Sequence, residues 1–137
     1  MPKVEMLDTF RIGHPRIDAD HEKLIGLVNR LDDAVQAGLF DDCRTLFDSF
    51  IEAAREHFAR EEQILRAAGF PRLTQHCVYH WGLLQRAHSV RRMCGDMSDR
   101  TEIRDCFENL VSFMIDDVIL GDMDFKSFLQ DQGLARV

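Results

Sequence analysis

Two pairs of cation-binding side chains stand four residues apart: His57 and Glu61 in "HFARE", and His76 and His80 in "HCVYH". On a helix that spacing stacks both members of a pair on one face, so both can reach a common point. His21 in "IDADH" and Asp117 in "DDVILGD" fall on apolar stripes of their own. A single inward histidine is ordinary, because it can hydrogen-bond within a core. Six polar groups spread over four apolar stripes are not, since each costs several kcal/mol to bury without a partner and a carboxylate costs more. Inward nitrogen and oxygen donors on every helix of a bundle are the material of a metal site. Four histidines and two carboxylates exceed what one ion takes, so two carboxylate-bridged ions fit better. Imidazole and carboxylate without thiolate place iron ahead of zinc or manganese.

The elements that must position these donors follow from periods near 3.6 residues, with little period-2 alternation. A first helix is expected from near Asp18 to Gly38, with the stripe Ile17, His21, Leu24, Ile25, Val28, Leu31 and Val35. The second starts after "FDD", capped by Asp41 or Asp42, and ends at Gly69. Its stripe is Phe47, Phe50, Ala54, His57, Phe58, Glu61, Ile64 and Leu65. The third covers about Arg72 to Met93 through Leu73, His76, His80, Leu83, Leu84 and Ala87, and "CGDMSD" then forms a turn with Gly95 as stop and Ser98 or Asp99 as the next cap. The fourth runs from about Arg100 to Leu120, with Ile103, Phe107, Leu110, Met114 and Asp117 on one face. That phase leaves Asp116 on the wet face with Asn109 and Ser112. Residues 1–16 read as an arm, and Phe125, Phe128 and Leu129 suggest a short last helix. Short connections between long helices predict an all-α, up-down-up-down antiparallel four-helix bundle with an N-terminal arm, as one domain over residues 1–137, its bundle and closing segment spanning 17–129.

Composition limits the partners. The chain has 137 residues, 45% hydrophobic and 30% charged, with net charge −7 and pI near 5.3. That balance argues against nucleic acid or an anionic membrane surface. No apolar run is long enough to span a bilayer, and the start lacks a secretory pattern, so a cytoplasmic location is expected. Cys43, Cys77, Cys94 and Cys106 form no CxxC pair, and their spacing suggests no disulfide. Each reads as a small buried or half-buried thiol in a reducing compartment.

"IDADH", "HFAREE", "HCVYHW" and the closing "GDMDFKSFL" together resemble the hemerythrin family, in its bacterial single-domain form, over about Phe10 to Leu129. The resemblance implies an oxygen-reactive, non-heme diiron centre (Fe2+/Fe3+) with an oxo or hydroxo bridge. It assigns His21 and His57 to one iron and His76 and His80 to the other. Glu61 would bridge them, as would an aspartate of the closing segment, best aligned at Asp122. O2 would bind end-on at the iron with fewer histidines and be held as a hydroperoxide.

The family's fifth histidine, five residues before the bridging aspartate, is missing. Asp117 stands there; taking Asp124 as the bridge instead would put Ile119 there. Asp117 either ligates the His76/His80 iron, directly or through water, or leaves a position open. An anionic ligand stabilises the ferric state, so ligation implies a lower reduction potential and quicker oxidation by O2. An open position suits redox chemistry or sensing better than reversible carriage.

The other candidates have plainer readings: His14 as an exposed arm residue, His88 and Glu62 as solvated, Tyr79 and Trp81 as packing residues. The leading reading is therefore an O2-binding diiron protein for sensing, storage or delivery, with NO or peroxide as related ligands and no protein partner indicated. The alternatives are a diiron redox enzyme (oxidase, peroxidase or nitric-oxide-reactive) and an interaction module with a structural metal.

Overall fold

Two glycines in the left-handed region set the lengths of the first two helices. Gly38 (φ 72°) closes α1, Pro15–Ala37, and Gly69 (φ 74°) closes α2, Phe40–Ala68. Each donates its N–H to carbonyls of the last turn, in a conformation that costs glycine little. The chain continues through α3, Leu73–Asp96, and α4, Arg100–Phe113. A π-helical segment, Met114–Ile119, prolongs α4, and a short α5 spans Lys126–Asp131. This is a computed structural model, describing residues 11–96, 99–119 and 125–135 without the side chains of 95, 96 and 117–119.

The four long helices pack as a bundle, and cross-links between neighbours show that each pair is antiparallel. Arg60, late in α2, bonds Asp20, early in α1. Arg91, late in α3, bonds Asp48, early in α2. Arg100 at the start of α4 reaches the carbonyl of Gly38 at the end of α1. The core follows the apolar stripes: Leu24, Val28, Leu31, Val35, Phe47, Phe50, Ile103, Phe107 and Leu110 are all buried in one cluster. A second cluster, Ile12, Ile17, Leu65, Phe70, Phe125 and Leu129, closes the end where α1 begins and α2 finishes. No helix among the described residues is long and apolar enough to cross a membrane.

Several boundaries differ from the sequence reading for physical reasons. α1 starts three residues before Asp18, because Pro15 suits a first helical position and His14 Nδ1 accepts from the N–H of Arg16. Asp18 instead pins the arm by accepting from the N–H groups of Ile12 and Gly13 at 2.7 and 3.1 Å. The arm thus joins the fold at Ile12, which is fully buried. α2 begins at Phe40 with Leu39 as N-cap, ahead of the expected Asp41 or Asp42. Burial of the Phe40 ring outweighs the missing side-chain cap, which is worth only about 1 kcal/mol. α3 passes through Gly95 to Asp96, whereas Asp99 caps α4 as expected, accepting from the N–H of Glu102 at 3.0 Å. Trp81 is exposed, not packed in the core, whereas the partly exposed Tyr79 ring still packs beside His76 and His80, with centroids 6.2 and 6.4 Å away.

The cysteine expectation fails for one pair. Cys94 and Cys106 form a disulfide that ties the end of α3 to α4. Their separation of 12 residues matches no spacing rule; the helical hairpin alone brings them together. Cys43 and Cys77 are free thiols, and burial pushes Cys43 up to about 11, with Asp42 adding to the effect. Cross-linking a loop of this size stabilises a fold by about 3 kcal/mol. Cys106→Ser is therefore expected to lower the urea midpoint by a matching amount. Reducing the natural chain should do the same, and a midpoint unmoved by reductant would show that the two thiols are not joined.

Candidate metal centre

Six polar or charged residues are fully or nearly fully buried among the described residues, and five of them meet at one end of the bundle. His21 comes from the start of α1, His57 and Glu61 from the end of α2, and His76 and His80 from the start of α3. The sixth, Asp32, lies eleven residues beyond His21 on α1, about 16 Å along the axis. The antiparallel register makes this convergence possible: the donors sit near the ends of α1, α2 and α3 that lie side by side. The i,i+4 spacing within α2 and within α3 then aligns each pair as the sequence predicts.

Glu61 is at the centre. Its Oε2 lies 2.9 Å from His57 Nε2, and its Oε1 lies 2.8 Å from His76 Nε2 and 3.0 Å from His80 Nε2. The ring of His21 stands edge-on to His57, with centroids 5.1 Å apart. The donors divide into two groups that share one carboxylate: His21, His57 and Glu61, and Glu61, His76 and His80. Within each group the ligand atoms lie within 4.8 Å of one another.

The residues around the donors fix their orientation. His57 Nδ1 lies 2.9 Å from Asp20 Oδ2, and Arg60 donates to both oxygens of Asp20 at 3.0 and 2.8 Å. Burial alone would raise the Asp20 carboxyl, but the hydrogen bonds and charge of His57 and Arg60 outweigh it and hold it well below the usual carboxylate range. Phe58 stacks on His80 at 3.9 Å, and Phe125 meets His76 edge-on at 5.1 Å. Glu62 is only partly solvated: its Oε1 is 3.6 Å from His80 Nδ1, and after burial it is the next cause that raises the Cys77 thiol to about 11. His88 is exposed, as expected, and His14 is spent on the α1 cap.

This donor set fits a pair of metal ions. An ionised Asp20 can only accept, so its contact with His57 is a hydrogen bond only with the proton on Nδ1. Nε2 then presents its lone pair to Glu61 Oε2 unless a second proton or a cation lies between them, and the 2.9 Å contact itself lacks hydrogen-bond geometry. The distances suit an ion as well. Two donors bound at about 2.1 Å and at right angles are about 3.0 Å apart, close to the 2.8–3.0 Å observed around Glu61. Both groups contain imidazole and carboxylate without thiolate.

Two expected ligands fall outside this description. The backbone of Asp117 lies in the π-helical segment, but its side chain and the whole of Asp122 are beyond the described residues. Asp116 is exposed, in line with its expected place on the wet face. The π segment starts at Met114, so a regular 3.6-residue phase cannot be extended from α4 to Asp117. Asp20 and Arg60 were not singled out by the sequence reading. A usable signal existed in the i,i+3 placement of His57 and Arg60, which puts the guanidinium beside that histidine.

Residues 13–119 match the family model described as the hemerythrin HHE cation binding domain. A bacteriohemerythrin of Ralstonia nicotianae is 32% identical over 96 residues, which cover 70% of this chain and 67% of that protein. A bacteriohemerythrin of Clostridium acetobutylicum is 22% identical over 122 residues, covering 86% of this chain and 95% of that protein. All five converging donors lie inside the matched span, and the chain belongs to the hemerythrin family of cation-binding domains.

Proposed function

We propose that this protein holds two iron ions (Fe2+/Fe3+) and binds O2, for sensing, storage or delivery. In this reading His21 and His57 hold one iron, His76 and His80 hold the other, and Glu61 gives one oxygen to each. The observation that carries it is the division of Glu61: its two oxygens face two separate histidine groups inside a fully buried site. A carboxylate serving one ion would need only one of those groups. Asp122 is assigned as the second bridge and Asp117 as the ligand that completes the His76/His80 iron. Two ferrous ions in such a site supply the electrons for binding O2, and the same site admits NO or peroxide.

The chain's own part is to keep that chemistry in a dry, shaped place. Phe58 and Phe125 cover His80 and His76, and the cluster of Ile12, Ile17, Leu65 and Phe70 seals the bundle end. Water excluded from the site can neither compete for ligand positions nor carry away a bound small ligand by protonation. Asp117 would bring a negative charge where the family resemblance implies a neutral imidazole, which would favour the oxidised centre.

Metal analysis and O2 mixing test these assignments together. Iron-loaded protein should hold two ions per chain. Glu61→Gln should weaken both, by tenfold or more, whereas His80→Ala should weaken one and spare the other. Equal loss in the two variants would contradict the division of the site. In stopped flow, the reduced protein should develop a visible charge-transfer band on mixing with O2 and hold it. Decay straight to the oxidised form would favour redox catalysis instead, and no reaction would favour a structural metal. Asp117→His should lengthen the life of the O2-bound form if Asp117 is a ligand; an unchanged lifetime would remove it from the site.

A further inference from the structure

We propose that Asp20, held by Arg60, is a positioning residue that fixes the proton of His57 on Nδ1 and so sets how strongly His57 Nε2 donates to a cation. The inference rests on the metal-binding reading above and extends it to two residues that reading does not use.

Three features of the geometry carry it. First, the Asp20 carboxylate lies on the far side of the His57 ring from Glu61, so the ring spans the two acids: 2.9 Å to Asp20 at Nδ1 and 2.9 Å to Glu61 at Nε2. Second, Asp20 is not free to turn. Arg60 grips both of its oxygens in a two-pronged fork, and the Asp20 side chain is only 14% exposed. Forked arginine–carboxylate pairs fix direction as well as charge. Third, the parts come from two helices. α1 supplies His21 to the site and, one residue earlier, the acid that orients a histidine of α2. Arg60 stands three residues after His57 on α2 and closes the link.

Glu62 stands near His80 Nδ1, but at 3.6 Å, too far for a hydrogen bond. A carboxylate bonded to the outer nitrogen makes an imidazole a stronger donor. Asp20 therefore stabilises the higher charge of an ion on the His21/His57 side. Arg60 opposes it by drawing off part of the Asp20 charge. The two residues should push a reduction potential in opposite directions, as their charges alone would, so the His57 Nδ1 proton is the readout that a pair serving only to join two helices would not set.

The test starts from the full-length protein without metal. Co2+ titration followed by its visible absorption should show two sites in the natural chain. Asp20→Asn should lose about 10–100-fold in affinity at one of them. In the zinc-loaded protein, proton–nitrogen NMR of the imidazoles should show the His57 Nδ1 proton far downfield and slow to exchange, and Asp20→Asn should move it upfield. In the iron-loaded protein, Asp20→Asn should raise the reduction potential and Arg60→Gln should lower it. Two Co2+ sites in the natural chain with an unaffected Asp20→Asn, or potentials that shift the same way in both variants, would overturn this inference alone. A natural chain that takes up no second ion would overturn the diiron reading. Should Asp20→Asn fail to fold, the natural zinc form still decides, since a fast-exchanging His57 Nδ1 proton contradicts the proposed bond.

Discussion

Everything at the active end of this molecule answers to one constraint: a carboxylate, Glu61, has been taken wholly out of water. A buried charge without compensation is among the most costly features a fold can carry, and it is tolerated when paired or bound to metal. Here the compensation is imidazole, delivered to both oxygens at 2.8–3.0 Å from His57, His76 and His80. Three neutral rings do not offset a negative charge. One protonated ring would balance the charge but leaves the division into two histidine groups around one acid unexplained. In the proposed reading, two cations between these donors would balance the charge and account for both groups.

That constraint places demands on the rest of the chain. The ends of α1, α2 and α3 must lie level to within a fraction of an ångström, so their lengths matter. Gly38 and Gly69 stop α1 and α2 at defined points, and the Gly69 turn brings His76 back beside Glu61 after only a few residues. The rings must also hold their rotation. Phe58 stacks almost parallel on His80, Phe125 stands against His76, and Asp20 with Arg60 holds His57. The arm and the closing segment complete this end: Ile12, Phe125 and Leu129 join Ile17, Leu65 and Phe70 in a cluster of their own. The main core starts at this end, where Phe58 covers His80, and runs along the rest of the bundle. Packing residues and donors thus share the same stripes, joined by the phase of each helix.

The parts of this arrangement that were legible in the sequence are those governed by helical period. His57 with Glu61 and His76 with His80 needed only the i,i+4 rule, and His21 only its place on the first stripe. The end of α2 was marked by Gly69, a residue type with one strong conformational meaning. The less legible parts depend on competition or on contacts between helices. Phe40 draws α2 to an earlier start because burying a ring outweighs a polar cap, and no local rule weighs the two. The Cys94–Cys106 bond exists only because the α3–α4 hairpin folds back on itself. Asp20 resembles a solvent-facing acid until α2 brings Arg60 and His57 against it. Trp81 shows the reverse error: a large aromatic invites a packing role, yet it lies 65% exposed because its neighbour His80 takes the inward direction. The fourth stripe held through Met114, which is buried, but the backbone leaves the α-helical phase there, and the side chain of Asp117 lies outside the described residues.

The most direct measurement is a crystal structure of the iron-loaded protein with anomalous scattering recorded at the iron edge. Two peaks about 3.5–4 Å apart are expected, the usual separation in two-metal sites, with one oxygen of Glu61 on each. A single peak, or both oxygens of Glu61 turned to the same ion, would contradict the account.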